Sequence, residues 1–131
     1  MKALYLDASA FVKTVLSEPE SGALRMFLGA RPDRRVSSAM LRTEAVRAVR
    51  HLGPGAMSTV RQGLRTIDLV AIDDRILEAA GVLEPQILRT LDAIHLATAL
   101  SIGDDLSEVV TYDARMLEAA RLLGLATASP R

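Results

Sequence analysis

Short apolar runs alternate along this chain with longer stretches whose apolar residues recur three and four positions apart. That alternation predicts strands interleaved with helices, and therefore a parallel sheet covered on both faces. The first run, Ala3-Leu4-Tyr5-Leu6, is apolar throughout and stops at Asp7. A run with no polar alternation predicts a strand buried on both sides and central in the sheet. A helical pattern begins at Ala10, with Phe11, Val12, Val15 and Leu16 on one face and Lys13 expected to point outward. A second helix follows Pro19 and buries Ala23, Leu24, Phe27 and Leu28. Gly29 to Asp33 reads as a loop and Arg35 to Ser38 as a short strand.

Ala39 to Leu52 predicts a helix, stopped by Gly53-Pro54-Gly55. Its apolar stripe is Leu41, Ala45, Ala48, Val49 and Leu52, and Glu44 falls inside it. A buried, unpartnered carboxylate is costly. Glu44 therefore either reaches water at the edge of the stripe or meets a positive partner. Ala56 to Arg65 predicts a helix, Ile67 to Ile72 a strand, and Asp73-Asp74 the cap of a helix over Arg75 to Val82. Leu88 to Leu100 reads as one long, mostly buried helix with Asp92 in its first turn. Glu108 to Tyr112 predicts a strand that ends at Asp113, as the first strand ends at Asp7. A helix over Ala114 to Leu123 and a short strand at Leu125 to Thr127 complete the pattern.

The length, 131 residues, predicts one domain over 1–131. Sixteen basic and sixteen acidic side chains leave no net charge, which argues against a broad basic footprint. Fourteen of the bases are arginine, so a local phosphate contact stays open, with Arg42, Arg47 and Arg89 as candidates beside a solvated-face reading. There is no cysteine, which excludes disulfides, thiolate catalysis and zinc–sulfur sites and is compatible with the cytoplasm. No run reaches the ~18 apolar residues of a membrane span, and Asp7 interrupts the first run too early for a signal peptide.

Four acids stand where solvated charges are unusual. Asp7 and Asp113 end strands, Asp92 opens a buried helix, and Glu44 interrupts an apolar face. Each has a bland reading as a cap or an edge residue. Together they point to one edge of the sheet, where like charges repel and require a counter-ion. No lysine is placed to serve. All-oxygen ligation favours Mg²⁺, or Mn²⁺ in its place, and a carboxylate-held cation with open water positions suits phosphoester chemistry. Ser9 and Thr111, each two residues from a key acid, are second-line candidates for orienting water. His95, one turn after Asp92, is either a satisfied half-buried histidine or a base.

The segments LYLDASAFVK, SSAMLRTEAVRAVR, LRTLDAIHLATAL and VVTYDARMLEAARLLGL together resemble the PIN-domain ribonucleases, and among them the VapC toxins of toxin–antitoxin pairs. The resemblance spans nearly the whole chain. It implies a three-layer α/β/α fold around a parallel sheet of about five strands. It also implies a Mg²⁺-dependent endoribonuclease with Asp7, Glu44, Asp92 and Asp113 as the metal-binding and catalytic acids. A homodimer is implied, as is a VapB-type antitoxin through which the complex meets promoter DNA. The stretch from Gly53 to Glu84 carries no distinctive motif.

Two other classes fit less well. A phosphatase with an aspartyl nucleophile wants a second acid two residues after the first, where Ser9 stands. A receiver-type binding module wants adjacent acids near the first strand and a late lysine, and neither is present.

Overall fold

In the computed structural model, which describes residues 1–131, strand β1 (Ala3–Leu6) is the middle of a five-stranded parallel sheet. It is flanked by β2 (Arg34–Ser38) and β4 (Leu106–Val110), and β3 (Asp68–Val70) and β5 (Thr127–Ala128) form the edges. Tyr5 lies opposite Val36 on one side and Val109 on the other. All four residues of β1 are buried, as their unbroken apolar character predicts.

The two faces of β1 divide the core. Leu4 and Leu6 pack with Phe11, Leu24, Leu28, Leu41, Val49 and Val60. These come from α1 (Ala8–Val15), α2 (Ser21–Gly29), α3 (Leu41–Val49) and α4 (Pro54–Gly63). Ala3 and Tyr5 face the other way, against Val36, Val109 and Ala99. Ala99 belongs to α6 (Thr90–Ser101), which lies between α5 (Asp74–Gly81) and α7 (Ala114–Leu122). Leu96 of α6 packs against Met116, Ala119 and Ala120 of α7. The result is the three-layer α/β/α arrangement expected.

Local details depart from the pattern read along the chain. The regular part of α3 ends at Val49 and a 3₁₀ turn follows, so Leu52 is exposed instead of joining the stripe, while Ala48, still within α3, lies on its exposed flank beside Arg47. Lys13 does not point into open solvent. Its Nζ meets Glu20 at 2.8 Å and stands 5.1 Å from the centre of the Tyr112 ring. A pattern confined to one helix does not register a partner seven residues on or an aromatic ring from beyond β4. The strand expected over Glu108–Tyr112 runs instead over Leu106–Val110, leaving Thr111 and Tyr112 past its end. At Gly63 the end of α4 lies so close to α1 that a Cβ placed there would run into the side chains of Val15 and Phe11.

Candidate active site

The sheet's carboxyl edge gathers the predicted acids because β1 and β4 end side by side, with Leu6 opposite Val110. Asp7 leaves β1 and caps α1, its Oδ1 accepting the Ala10 N–H at 3.0 Å. The same oxygen accepts from the Ser9 hydroxyl at 2.7 Å, and Oδ2 accepts from the Thr111 hydroxyl at 2.6 Å. Asp7 is only 4 % exposed. Burial pushes its carboxyl above the usual carboxylate range, against the pull of the Thr111, Ser9 and Ala10 donors and the nearby His95. Ser9 and Thr111 each accept as well as donate. Ser9 Oγ accepts the Tyr112 N–H at 2.9 Å, and Thr111 Oγ1 accepts the Asp113 N–H at 3.1 Å. The two hydroxyls thus tie Asp7 to the backbone that leaves β4.

Asp113 caps α7, its Oδ1 accepting from Arg115 N at 2.9 Å and Met116 N at 3.3 Å. Its bland reading as a cap is therefore correct and does not compete with a place in the site, since Oδ2 has no such partner. Asp92 lies in the first turn of α6, half-buried. Burial raises its carboxyl above the usual range. The charges of Asp113 and Asp7 raise it further, while His95 and Arg89 pull the other way. Asp92 therefore feels both Asp113 and Asp7 across the edge. The chain's two lysines are committed elsewhere, Lys2 to the Asp104 carbonyl and Lys13 to Glu20.

Glu44 comes from the other layer. Its Oε1 lies 2.7 Å from His95 Nε2, and His95 Nδ1 lies 2.6 Å from the Tyr5 hydroxyl. A carboxylate accepts, so Nε2–H donates and Nδ1 is left to accept from the phenol in the neutral ring. Tyr5 and His95 are nearly sealed from solvent, and burial pushes the phenol well above its ordinary value. Glu44 thus has both readings at once, with a partner on one side and about a fifth of its side chain exposed on the other. His95 is the satisfied, buried histidine, and its satisfaction consists of holding Glu44. Tyr5 is not legible in the sequence as part of the site, since there it is one apolar position among four.

No three of the acids and histidines stand close enough to enclose one ion between them. The donor set nonetheless suits a hard cation. The Asp7 and Asp92 carboxyls are raised with no cation beside them, and the Asp92 carboxyl and Asp113 Oδ2 carry no hydrogen bond. Mg²⁺ is ordinarily held by one or two carboxylates and keeps several waters, so an open edge fits it better than a closed cage would.

The chain is similar in sequence and fold to known proteins. The family described as PIN domain matches residues 4–122. Ribonuclease VapC46 of Mycobacterium tuberculosis strain H37Rv is 51 % identical over 130 residues, covering 99 % of each chain. Among solved structures, VapC20 of Mycobacterium tuberculosis, described as a toxin that cleaves the sarcin–ricin loop, superposes with a TM-score of 0.77 at 14 % identity, over 97 % of this chain and 99 % of that one. A DNA-bound VapBC complex from Salmonella typhimurium contains a chain that superposes with a TM-score of 0.74 at 21 % identity, over 98 % of both.

Proposed function

The chain belongs to the PIN-domain family, in its VapC branch, and from that membership we propose that it is a metal-dependent endoribonuclease and the toxin of a toxin–antitoxin pair. The observation that carries the reading is the set of acids at the carboxyl edge, two of them raised above their ordinary range, with both lysines engaged elsewhere. Asp7, Asp92 and Asp113 would hold Mg²⁺, or Mn²⁺ in its place, directly or through water. When bound, the cation neutralises the phosphate and lowers the pKa of water. Asp7 is fixed by three donors and Asp113 by its own cap, so the edge they form keeps its shape when a phosphodiester docks. Glu44, held by His95, would orient the attacking water. The water oxygen bonds to phosphorus and its proton passes to solvent, the bond to the 3′ oxygen breaks, and that oxygen takes a proton from solvent and leaves as a hydroxyl. A 5′-phosphate remains on the downstream fragment.

The same reading assigns a cytoplasmic toxin, a VapB-like antitoxin as partner, contact with DNA through that antitoxin alone, and a homodimer. No helix is long and apolar enough to cross a membrane. The deciding experiment is incubation of purified protein with total RNA, with Mg²⁺ and with chelator. Cleavage confined to the Mg²⁺ arm supports the reading, and intact RNA in both arms overturns it. Expression alone should slow growth of a bacterial host, and Asp92→Asn should not. Normal growth with soluble, RNA-cleaving protein would make the chain a nuclease without a toxin's role.

A further inference from the structure

Charge is sharply divided in this neutral chain. Residues 39–67, which form α3, α4 and their connections, hold five arginines and one acid, Glu44. That is a net charge of +4, while the rest of the chain carries eleven basic and fifteen acidic side chains. None of the five, Arg42, Arg47, Arg50, Arg61 and Arg65, enters an ion pair. Three of them converge. Arg42 from the first turn of α3, Arg61 from the last turn of α4 and Arg65 just beyond it line one cavity of about 340 Å³ whose remaining walls are Val46 and Leu64. All three are exposed and free of carboxylate partners, so their guanidinium forks are open to a bound anion.

The cavity's position decides which anion. Arg42 and Glu44 are two residues apart on α3, so they sit about 3 Å apart along the axis and roughly 160° apart around it. The arginine cavity and Glu44 therefore face different flanks of the same first turn, so a strand that meets both passes over the start of α3. We propose that the Arg42–Arg61–Arg65 cavity holds a backbone phosphate of the RNA strand a nucleotide or more away from the bond being cut. Guanidinium forks match phosphate oxygens in pairs, and Val46 and Leu64 offer the adjoining sugar an apolar floor. The contact is blind to base identity, so it grips the strand without choosing the sequence. The proposal rests on the ribonuclease reading above.

The test uses the full chain carrying Asp7→Asn, so that labelled single-stranded RNA survives the measurement. Arg61→Gln/Arg65→Gln should weaken binding roughly tenfold at low salt and lower the slope of log affinity against log salt by about 0.7 for each phosphate no longer neutralised. In the chain with Asp7 intact, the same pair should raise KM with little change in kcat. The charge-matched pair Arg75→Gln/Arg121→Gln, on α5 and α7, should do neither. Equal effects from both pairs would reduce the matter to net charge and overturn the proposal. So would unchanged RNA binding together with weakened affinity for an acidic antitoxin-derived peptide, which would make the cavity a protein dock. Failure of the Asp7-containing chain to cleave RNA at all would instead overturn the underlying ribonuclease reading.

Discussion

His95 and Glu44 meet across 2.7 Å, and that single contact joins α6 on one face of the sheet to α3 on the other. His95 is 2 % exposed, so no water competes for its Nε2. Because Tyr5 occupies Nδ1, the imidazole is held in one tautomer and presents its proton to Glu44. His95→Ala should lower kcat about 10- to 100-fold, the usual cost of removing a partner that orients a reacting group. KM should move little. The sharper measurement is a double-mutant cycle. If His95 acts through Glu44, then Glu44→Gln/His95→Ala should be no slower than Glu44→Gln alone. Strictly additive effects would mean that His95 works independently of Glu44. Tyr5→Phe should have a smaller effect in the same direction.

Asp7→Asn should reduce cleavage to background while leaving the fold intact. Asparagine caps helices about as well as aspartate, so α1 keeps its start, but the anionic oxygens are gone. Asp104→Asn, in the 3₁₀ turn before β4, should cleave like the unaltered protein. Equal rates for the two variants, with matching melting curves, would remove Asp7 from the site.

Thr111→Val should be worse than Ser9→Ala. Thr111 is fully buried and its hydroxyl both donates to Asp7 and accepts from the Asp113 N–H, so valine strands two polar groups at little change in volume. Each stranded group costs about 1–3 kcal/mol. Ser9 is partly solvated, and water can replace its hydroxyl. Denaturant midpoints check the order, and a Thr111→Ser variant should recover most of the stability.

Without metal, the protein should gain stability when an acid is removed. The Asp92 carboxyl lies above its unfolded value, chiefly through burial and then through Asp113 and Asp7. A raised carboxyl binds its proton more tightly in the folded chain. Its contribution is therefore fully present below the unfolded value of about 3.9 and fades as pH rises through the folded one. In chelator at pH 7, Asp92→Asn should show the higher denaturant midpoint, and the gap should close toward pH 4. Added Mg²⁺ should raise the midpoint of the unaltered chain more than that of the variant. A variant less stable at pH 7, with neither chain responding to Mg²⁺, would mean the acids are separate caps.

Much of this is legible along the chain because it depends on neighbours in sequence. Asp7 follows an apolar run, so its place at the end of β1 comes directly from the hydrophobic pattern. Asp113 stands three residues past the end of β4, as the cap of α7, so the pattern gives the side of the sheet but not its bound. Glu44 is visible as an anomaly, but its partner lies 51 residues away on a helix whose own pattern only says buried. Tyr5 is invisible for the same reason, since the alternation of a strand tells which face a side chain takes and not what waits there. Leu52 falls outside the expected stripe because the winding changes from α to 3₁₀ after Val49, and Ala48 because the buried face of α3 is the narrower set Leu41, Ala45 and Val49. The convergence of Arg42, Arg61 and Arg65 needs the return of α4 alongside α3, which brings the last turn of one helix to the first turn of another.

Gly63 gives this assembly its tolerance limit. Elsewhere in a helix, alanine for glycine gains roughly 0.5–1 kcal/mol. Here the added methyl would press on Val15 and Phe11, the latter already 3.2 Å from where it would stand. Overpacking costs about 1–3 kcal/mol, taken up by off-rotamer side chains and backbone shifts. The two helices carry opposite charges at the ends in question, since α1 starts from Asp7, Arg61 stands in the last turn of α4 and Arg65 follows in the 3₁₀ turn beyond it. The hydrogen atom at position 63 thus sets how closely α4 approaches α1, and on the proposed reading Gly63→Ala would change the spacing between the arginine cavity and Asp7.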